Sequence, residues 1–273
     1  MQYKMVTFDL DGTLMGSDSR LSKESIEAIK EYKRLGIPFV PCTGRTLSEM
    51  PEIMENPDIR YIIYSSGSAI LDKKTGEVVS HGLSYREKED LLALLSNYSV
   101  YVLLHANGNT YVDKDFPGRE QEHNICVPVC YIIAHVAIAK ENLAAYILEN
   151  EIEYITVFFR DAKEQEACRA ELLKDDRLIF AEPWNANFEI FSKKAGKGNG
   201  ILTLCDKLGI SPEEVIAVGD SDNDALALKT AGRAIAVANG TDAIKAMADE
   251  VACSNDECVA RYVLEKYFGR KQK

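Results

Sequence analysis

Two short acidic segments, far apart in the chain, carry the side chains that could do chemistry. Asp9 and Asp11 lie two residues apart directly after an apolar run, and residues 219–224 read Gly-Asp-Ser-Asp-Asn-Asp. Two carboxylates held about 4 Å apart repel each other by about 4 kcal/mol at an effective dielectric constant near ~20. A hard divalent cation with oxygen ligands relieves this repulsion, and Mg²⁺ suits a site that also binds phosphate. The two segments therefore predict a metal site, with a solvated strand-end turn as the alternative for Asp9 and Asp11 taken alone.

The second acidic segment also resembles the start of a calcium-binding EF-hand loop. That loop needs a Gly at its sixth position and a Glu at its twelfth. Counted from Asp220, these positions are occupied by Ala225 and Ala231. The apolar run 215–218 before the segment is typical of a strand rather than of the helix that enters an EF-hand. These features exclude the EF-hand and favour a metal site at the edge of a sheet.

Thr43-Gly44 and Lys197 supply groups that could bind phosphate. A hydroxyl, an unhindered backbone N–H and a helix start just downstream form a natural site for phosphate oxygens. A lysine before a helix can neutralise a phosphate oxygen or shield a carboxylate. A structural Thr-Gly turn and a solvated basic loop are the alternatives, and Lys193 and Lys194 compete with Lys197 on local evidence. Alone, each of the two features is a weak indication.

These polar clusters fall at the ends of strands in a predicted parallel sheet. Short apolar runs at 5–8, 37–40, 61–64, 215–218 and 234–237 predict strands, and helical patterns lie between most of them. Strands that alternate with helices are typical of a parallel sheet with crossover helices. In such sheets, ligands bind at the carboxyl ends of the strands. The pattern therefore predicts a doubly wound, Rossmann-like α/β core with its site at that edge.

The middle of the chain has a different pattern. Asn107-Gly108 between two extended runs predicts a β-hairpin, and short helical patterns flank the hairpin. Hairpins mixed with helices indicate a separate α+β unit. We therefore predict a catalytic core formed by residues 1–82 and 186–273, interrupted by an inserted α+β cap at residues 83–185.

The composition limits the partners and the location of the protein. The 273 residues carry a formal net charge of −11, which opposes binding to nucleic acid and to anionic membrane surfaces. No run of about 20 apolar residues and no signal-peptide pattern occurs, so no membrane partner is expected. The seven cysteines are scattered without a Cys-x-x-Cys pair, which indicates reduced thiols in a cytoplasmic protein. None of these features predicts the oligomeric state.

The order of the motifs resembles that of a known superfamily. Asp9-x-Asp-Gly-Thr-Leu, then Thr43-Gly-Arg, then Lys197, then Gly219-Asp-x-x-Asn-Asp look like the haloacid dehalogenase-like (HAD) superfamily of phosphohydrolases. The insertion between the Thr and Lys motifs is most similar to the Cof-type branch, which has an α/β cap of type IIB. The resemblance covers essentially the whole chain. It implies a phosphoric monoester hydrolase that needs Mg²⁺ and acts on small phosphorylated metabolites such as sugar phosphates.

The resemblance also implies the roles of the first acidic pair and of the metal ligands. Asp9 would attack phosphorus and become an aspartyl phosphate. Asp11 would protonate the leaving alcohol and then take a proton from the attacking water. Asp9, the backbone carbonyl of Asp11 and Asp220 would bind Mg²⁺, and Asp224 would support the metal shell.

The remaining motif residues would, by the same resemblance, hold the phosphoryl group. Thr43, the backbone of Gly44 and Lys197 would contact phosphoryl oxygens, and Asn223 would contact phosphate or orient its neighbours. In phosphoryl transfer, positioning and charge neutralisation dominate catalysis. One departure from the family pattern concerns this region, because Ser66 stands where an Asn often follows the third strand. Pro41, two residues before Thr43, removes a backbone donor.

Two other functions fit the same motifs. A phosphomutase or phosphotransferase would use Asp9 in the same way but would exclude water and pass the phosphoryl group to a sugar hydroxyl. A noncatalytic sugar-phosphate sensor would have no need of Asp9 and Asp11, which are both present. The cap should close over the active site and set specificity, but the sequence does not identify the substrate. The polar candidates in the cap are His105, Asn107, Arg119, His123, Trp184 and Asn185.

Overall fold

The computed structural model describes residues 3–115, 118, 120–123, 125–182 and 187–269. The described chain divides into two compact units. The first comprises the described parts of Met1–Gly44, Pro51–Val79 and Gly196–Lys273, and the second those of Arg45–Met50 and Ser80–Ala195. The first unit contains a five-stranded and a three-stranded sheet, the second contains a six-stranded sheet, and each unit has its own hydrophobic core.

The elements are numbered in chain order. The strands are β1 (Met5–Phe8), β2 (Phe39–Pro41), β3 (Tyr61–Tyr64), β4 (Ala69–Asp72), β5 (Glu77–Ser80), β6 (Val100–Ala106), β7 (Asn109–Asp113), β8 (Ile138–Lys140), β9 (Tyr154–Phe159), β10 (Leu178–Ala181), β11 (Asn187–Ser192), β12 (Val215–Gly219), β13 (Arg233–Ala236) and β14 (Glu250–Val251). The helices are α1 (Lys23–Arg34), α2 (Pro51–Glu55), α3 (Tyr85–Leu95), α4 (Val127–His135), α5 (Leu143–Glu149), α6 (Ala162–Leu172), α7 (Lys197–Leu208), α8 (Ala225–Thr230), α9 (Asp242–Met247) and α10 (Val259–Phe268). Among the described helices, none combines the length and the hydropathy that a membrane-spanning segment needs.

A parallel sheet forms the centre of the first unit. Its strand order is β14-β13-β12-β1-β2, and every neighbouring pair is parallel. All four residues of β1 are buried, as expected of a central strand covered on both faces. A parallel bridge between Cys42 and Ile63 places β3 beside the end of β2. The carboxyl ends of β1, β2, β3 and β12 therefore lie along one edge, and the predicted doubly wound α/β core is confirmed.

Helix α1 shows why the predicted helices form where they do. Its N-terminus is capped by Ser22, whose Oγ accepts a hydrogen bond from the backbone N–H of Ser25 at 3.0 Å. Gly36, with a φ of +73°, follows the last turn and ends the helix. On the buried face, the ring of Tyr32 packs against Phe39 of β2 with 5.4 Å between ring centroids. The N-cap residue, the glycine after the last turn and the apolar face together define α1, which packs against the sheet.

A six-stranded mixed sheet forms the second unit, with the strand order β10-β11-β9-β6-β7-β8. β6 and β7 are joined by Asn107-Gly108, whose φ angles of +51° and +71° are those of the tight turns that suit a two-residue hairpin. The hairpin predicted from the sequence is therefore confirmed. On one face of the sheet, Leu91 of α3 and Leu172 of α6 pack in one core with Ile155 and Phe188 of the strands.

The second unit extends further along the chain than the predicted cap of 83–185. β11 pairs antiparallel with both β9 and β10, so residues 187–192 join this sheet, whereas the sequence pattern predicts them in the core. The apolar pattern of one strand does not indicate which sheet the strand joins. Arg45–Met50 also packs here, since Ser48 N donates to Gly108 O at 2.9 Å. The assignment of the two units as catalytic core and specificity cap stays a prediction.

Candidate active site

The turn after β1 carries the first acidic pair. Asp9 N donates to Val218 O at 3.0 Å, so the pairing of β1 with β12 continues into Asp9. Gly12 has a φ of +76°, and a Cβ there would lie 2.8 Å from Asp220 Oδ2. Thr13 Oγ1 donates to Asp220 Oδ1 at 2.8 Å. Because residue 12 is glycine, the turn can approach the Asp220 carboxylate closely and bind it through Thr13.

The turn after β12 is organised by Asp224. Its Oδ2 accepts the backbone N–H groups of Asp220 at 2.9 Å and of Ser221 at 3.2 Å. A Cβ on Gly219 would lie 2.5 Å from the Asp224 carboxyl carbon, so glycine at 219 is what lets this side chain fold back over its own turn. Asp224 is 2% exposed. This buried carboxylate therefore fixes the backbone that carries Asp220.

Lys197, the first residue of α7, is a fully buried cation. Its Nζ donates to Asp224 Oδ1 at 2.5 Å, to Asp9 Oδ1 at 2.6 Å and to Asn223 Oδ1 at 3.2 Å. Burial acts to lower the pKa of Lys197, but the carboxylates of Asp224 and Asp9 outweigh burial and raise this pKa above its ordinary value. Lys197 therefore remains an ammonium group that links the two acidic turns.

The chain before Lys197 passes unusually close to the turn that follows β3. A Cβ on Gly67, whose φ is +83°, would lie 2.1 Å from Gly196 O. Ser65 and Ser66 in the same turn also have left-handed φ angles, of +49° and +54°. Such backbone angles are costly for residues other than glycine and are typically retained at functional turns. The turn after β3 thus sets the position from which Lys197 enters the site.

Thr43 and Gly44 follow β2 and are tied to that same turn. Thr43 N donates to Ile63 O, and Thr43 O accepts from Ser66 N, both at 2.9 Å. A Cβ on Gly44 would lie 3.4 Å from Ser66 Oγ. Ser66, which stands where the family often has Asn, therefore has its hydroxyl beside the Thr43-Gly44 backbone.

The carboxyl oxygens of Asp9, Asp220 and Asp224 lie within 4.8 Å of one another. We call these three residues together with Lys197 the acidic centre. Burial raises the pKa of Asp9 well above its usual range, and Lys197 opposes part of this rise. Burial also raises the pKa of Asp220, against the hydrogen bond from Thr13. Three carboxyl groups around one ammonium, all offering oxygen donors, fit a hard divalent cation of the Mg²⁺ type.

The structure brings some of the predicted site residues together and leaves others at the rim. The four members of the acidic centre meet as the strand-end pattern suggested. Asn223 is exposed and contacts the centre through Lys197. Asp11 is also exposed, and its carboxylate is not one of the three that converge. The predicted metal ligand from Asp11 is its backbone carbonyl, and that assignment stays a prediction.

Two residues beside the acidic turns were missed by the sequence analysis. Thr13 binds Asp220, as described above, and Asn239 Nδ2 donates to Gly12 O at 2.7 Å. Thr13 lies inside the first motif but was given no role. Asn239 follows β13, so the rule that polar groups gather at strand ends could have identified it.

Among the cap candidates, His105 belongs to a buried polar group of the second unit. Its ring nitrogens lie 3.2 Å from Thr110 Oγ1 and 3.1 Å from Thr156 Oγ1, and its ring stacks on Tyr154 at 3.9 Å. Thr110 in turn donates to Glu49 Oε1 at 2.7 Å. Burial lowers the pKa of His105 to about 3, so the ring is neutral. We call His105, Thr110 and Thr156 the histidine cluster.

Two of the other cap candidates, Asn107 and His123, lie in the described part of the chain. Asn107 lies in the exposed hairpin turn between β6 and β7. His123 is buried and packs edge-on against Tyr101 with 5.8 Å between ring centroids. Arg119, Trp184 and Asn185 lie outside the described residues.

Comparison with known proteins agrees with the fold. The family model described as haloacid dehalogenase-like hydrolase matches residues 6–263. The phosphatase YwpJ of Bacillus subtilis (strain 168) is 29% identical over 93% of this chain and 96% of its own length.

Solved structures show the same architecture. A haloacid dehalogenase-like hydrolase from B. subtilis superposes with a TM-score of 0.77 at 27% identity, covering 96% of this chain and 99% of the other. A phosphatase of the same superfamily from Bacteroides thetaiotaomicron superposes with a TM-score of 0.81 at 22% identity, covering 98% and 96%. At that identity the second likeness shows the fold alone. The chain therefore belongs to the haloacid dehalogenase-like hydrolases and is a phosphatase of their Cof type.

Proposed function

We propose that this protein is a Mg²⁺-dependent phosphatase that hydrolyses small phosphorylated metabolites, sugar phosphates or related phosphomonoesters, through an aspartyl phosphate on Asp9. One observation carries the proposal. The carboxyl oxygens of Asp9, Asp220 and Asp224 lie within 4.8 Å of one another at the carboxyl ends of parallel strands, and the ammonium of Lys197 pairs with Asp9 and Asp224. The centre holds three carboxyl groups and one ammonium, so its donor set can accept a further cation.

The surplus of carboxyl groups over ammonium groups in the acidic centre supports a divalent cation as its ligand. Like charges at these separations repel by several kcal/mol in a partly buried site, about 4 kcal/mol at ~4 Å and an effective dielectric constant near ~20. Asp9, Asp220 and the backbone carbonyl of Asp11 would hold Mg²⁺, while Asp224 holds the turn beneath Asp220. When bound, Mg²⁺ would supply positive charge that neutralises these carboxylates and the phosphoryl oxygens.

In the first chemical step, an Asp9 carboxylate oxygen would attack phosphorus. The new O–P bond forms as the bond from phosphorus to the leaving alcohol oxygen breaks, and Asp11 gives its proton to that oxygen. The exposed position of Asp11 at the rim suits a residue that must reach a leaving group outside the acidic centre.

The second step would hydrolyse the aspartyl phosphate. Asp11, now a carboxylate, takes a proton from water while the water oxygen bonds to phosphorus and the Asp9–phosphorus bond breaks. The products are inorganic phosphate and the original Asp9 carboxylate, and Asp11 regains its proton.

Binding of the phosphoryl group would fall to residues around this pair. Thr43, the backbone N–H of Gly44 and Lys197 would contact phosphoryl oxygens, and Asn223 would orient Lys197, with which it already shares a hydrogen bond. Ser66 Oγ, close to Gly44, would take the place of the amide that relatives often have there.

The proposal is tested by phosphate release from a panel of sugar phosphates, nucleotides and p-nitrophenyl phosphate. The Asp9→Asn variant should lose more than ~10³-fold in kcat while its fold is retained, because the change is nearly isosteric and removes the nucleophile. Asp222→Asn, which alters an exposed carboxylate of the same acidic turn, is the matched control and should keep near wild-type activity. Substantial turnover by Asp9→Asn would exclude the mechanism. Isomerisation of a sugar phosphate without phosphate release would instead indicate a mutase, and binding without turnover a sensor.

A further inference from the structure

The loop after β13 contacts both acidic turns of the site. Val237 N donates to Gly219 O at 3.2 Å, and Thr241 N donates to Asp220 O at 2.8 Å. Between these two residues, Asn239 reaches the first acidic turn and donates from Nδ2 to Gly12 O at 2.7 Å. Residues 237–241 therefore connect the turn that carries Asp220 with the turn that carries Asp11.

The side-chain amide of Asn239 is held in one orientation by partners at both ends. Its Nδ2 donates to Gly12 O, and its Oδ1 accepts the backbone N–H of Asn255 at 2.9 Å. Turning the amide over would place an oxygen against the Gly12 carbonyl and an NH₂ group against the Asn255 N–H, so both hydrogen bonds would be lost. The side chain is thus a fixed bridge although it is exposed.

The bonded carbonyl lies one residue after Asp11. Gly12 has left-handed backbone angles, and on its far side Thr13 is bound to Asp220. The Asp11–Thr13 segment is therefore restrained at Gly12 by Asn239 and at Thr13 by Asp220. Without the bond to Gly12 O, the Gly12–Thr13 peptide, one residue beyond Asp11, would have one restraint fewer, and a small displacement of a reacting group is costly in rate.

We infer that Asn239 is a positioning residue that holds Asp11 in place for proton transfer to the leaving group. The inference rests on the proposed function, because it assigns Asn239 a part in the step in which Asp11 acts as general acid. Asn239 does not touch the phosphoryl group in this account. It acts through the Gly12 peptide.

The structure offers a closely matched pair of variants for the test. Asn255 Nδ2 donates to Met15 O at 2.9 Å, so Asn255 binds a carbonyl at the end of the same turn. Asn239→Asp and Asn255→Asp each replace an amide donor by a carboxylate opposite a main-chain carbonyl, and each adds one negative charge. They differ in which carbonyl loses its bond, that of Gly12 beside Asp11 or that of Met15 further along.

The readout is kcat/KM, at saturating Mg²⁺, for an alkyl phosphate and for p-nitrophenyl phosphate. kcat/KM reports the steps up to phosphorylation of the enzyme, and the alkyl alcohol needs a proton to leave, whereas p-nitrophenolate leaves without one. General acid catalysis contributes about 10²–10⁴-fold where it is needed, so a misplaced acid should lose part of this factor. Asn239→Asp should lower kcat/KM for the alkyl phosphate about tenfold and leave the value for p-nitrophenyl phosphate within about twofold. Asn255→Asp should leave the ratio of the two substrates unchanged.

Equal losses on the two substrates, or the same change of ratio in Asn255→Asp, would overturn the inference. Asn239→Ala removes the donor without adding charge, and it must show the same selective loss of kcat/KM for the alkyl phosphate. This variant replaces Asn239→Asp in the test if the Asp variant does not fold. Failure of the inference is distinct from failure of the proposed function. If Asp9→Asn is inactive while Asn239→Asp and Asn239→Ala behave as wild type, the positioning role alone is wrong.

Discussion

The acidic centre of the first unit and the histidine cluster of the second are both buried polar groups, and they meet the cost of burial in opposite ways. In the acidic centre, Lys197 is shared between Asp9 and Asp224, and the carboxyl groups outnumber the ammonium. In the histidine cluster, the ring of His105 is neutral and each ring nitrogen has a threonine hydroxyl as partner. The acidic centre thus has more carboxyl groups than cations, whereas the histidine of the second cluster is neutral and bonded at both ring nitrogens.

This difference distinguishes a candidate ligand-binding site from a polar cluster that only stabilises the fold. Buried polar groups that are fully paired and neutral contribute to stability without needing a ligand. Buried charges without full compensation are costly, and proteins retain them mainly where chemistry or ligand binding requires them. The same comparison explains why His105, one of the polar cap residues that the sequence offered for specificity, carries no proposed role here.

The comparison is tested most strongly by removing one buried lysine from each unit. Lys197→Met should lower kcat by about 10²–10³, because the phosphoryl group and Asp9 lose the ammonium that accompanies them. Lys88 is the matched control, since it is also buried but its Nζ donates to the backbone carbonyls of Leu148 and Asn150. Lys88→Met should leave kcat near the wild-type value and lower the free energy of unfolding by about 1–3 kcal/mol, because two carbonyls lose a donor. Steady-state kinetics and urea unfolding measure both effects, and equal kinetic losses in the two variants would contradict the distinction.

Mg²⁺ should stabilise the folded protein through the acidic centre alone. After chelation with EDTA, adding Mg²⁺ at about 100 times its dissociation constant should raise the free energy of unfolding by about 2.7 kcal/mol. Asp220→Asn should abolish most of this gain, because it removes a proposed ligand. Thr156→Val, which removes a hydroxyl of the histidine cluster, should retain the gain. Thermal unfolding with and without Mg²⁺ gives the answer, and an undiminished gain in Asp220→Asn would place the cation elsewhere.

The histidine cluster should make the free energy of unfolding depend on pH rather than on Mg²⁺. The pKa of His105 is lowered to about 3 by burial, whereas an unfolded histidine has a pKa near ~6.5. Below pH ~6.5 the unfolded state binds the proton and the folded state does not. This contribution to stability is therefore complete above pH ~6.5 and is lost as the pH falls toward 3, by about 2 kcal/mol at pH ~5. Urea unfolding at pH ~7 and ~5 should show a smaller pH-dependent loss in His105→Gln than in wild type by that amount, and an identical loss in both would mean that His105 titrates freely.

Sequence patterns predicted much of the fold and the main convergence of the site. Strand ends at Phe8 and Gly219 lead directly into Asp9 and Asp220, so the parallel sheet itself brings these carboxylates together. What the sequence could not predict depends on contacts between distant segments. Thr13 binds Asp220 across 207 positions of the chain, and Asn239 binds Gly12 across 227. No local sequence pattern predicts hydrogen bonds between residues so far apart in the chain.

The membership of β11 was missed for a related reason. Its nearly continuous burial fits either sheet, and pairing with β9 and β10 decides which sheet it joins. The region around α4 and β8 also had no prediction, since its apolar residues follow neither a clear helical nor a clear strand period. Short elements of this kind are fixed by the sheet they join rather than by their own sequence.

The central claim is that Asp9 becomes covalently phosphorylated, and trapping that intermediate tests it most directly. The enzyme would be mixed with Mg²⁺ and a phosphomonoester, quenched in acid within a turnover and treated with borohydride, which reduces an aspartyl phosphate to homoserine. Peptide mass spectrometry should then find homoserine at position 9 in a fraction of the wild-type molecules and in none of the Asp9→Asn molecules. A wild-type enzyme that releases phosphate but shows no modification at position 9, or shows it at another carboxylate, would contradict the account.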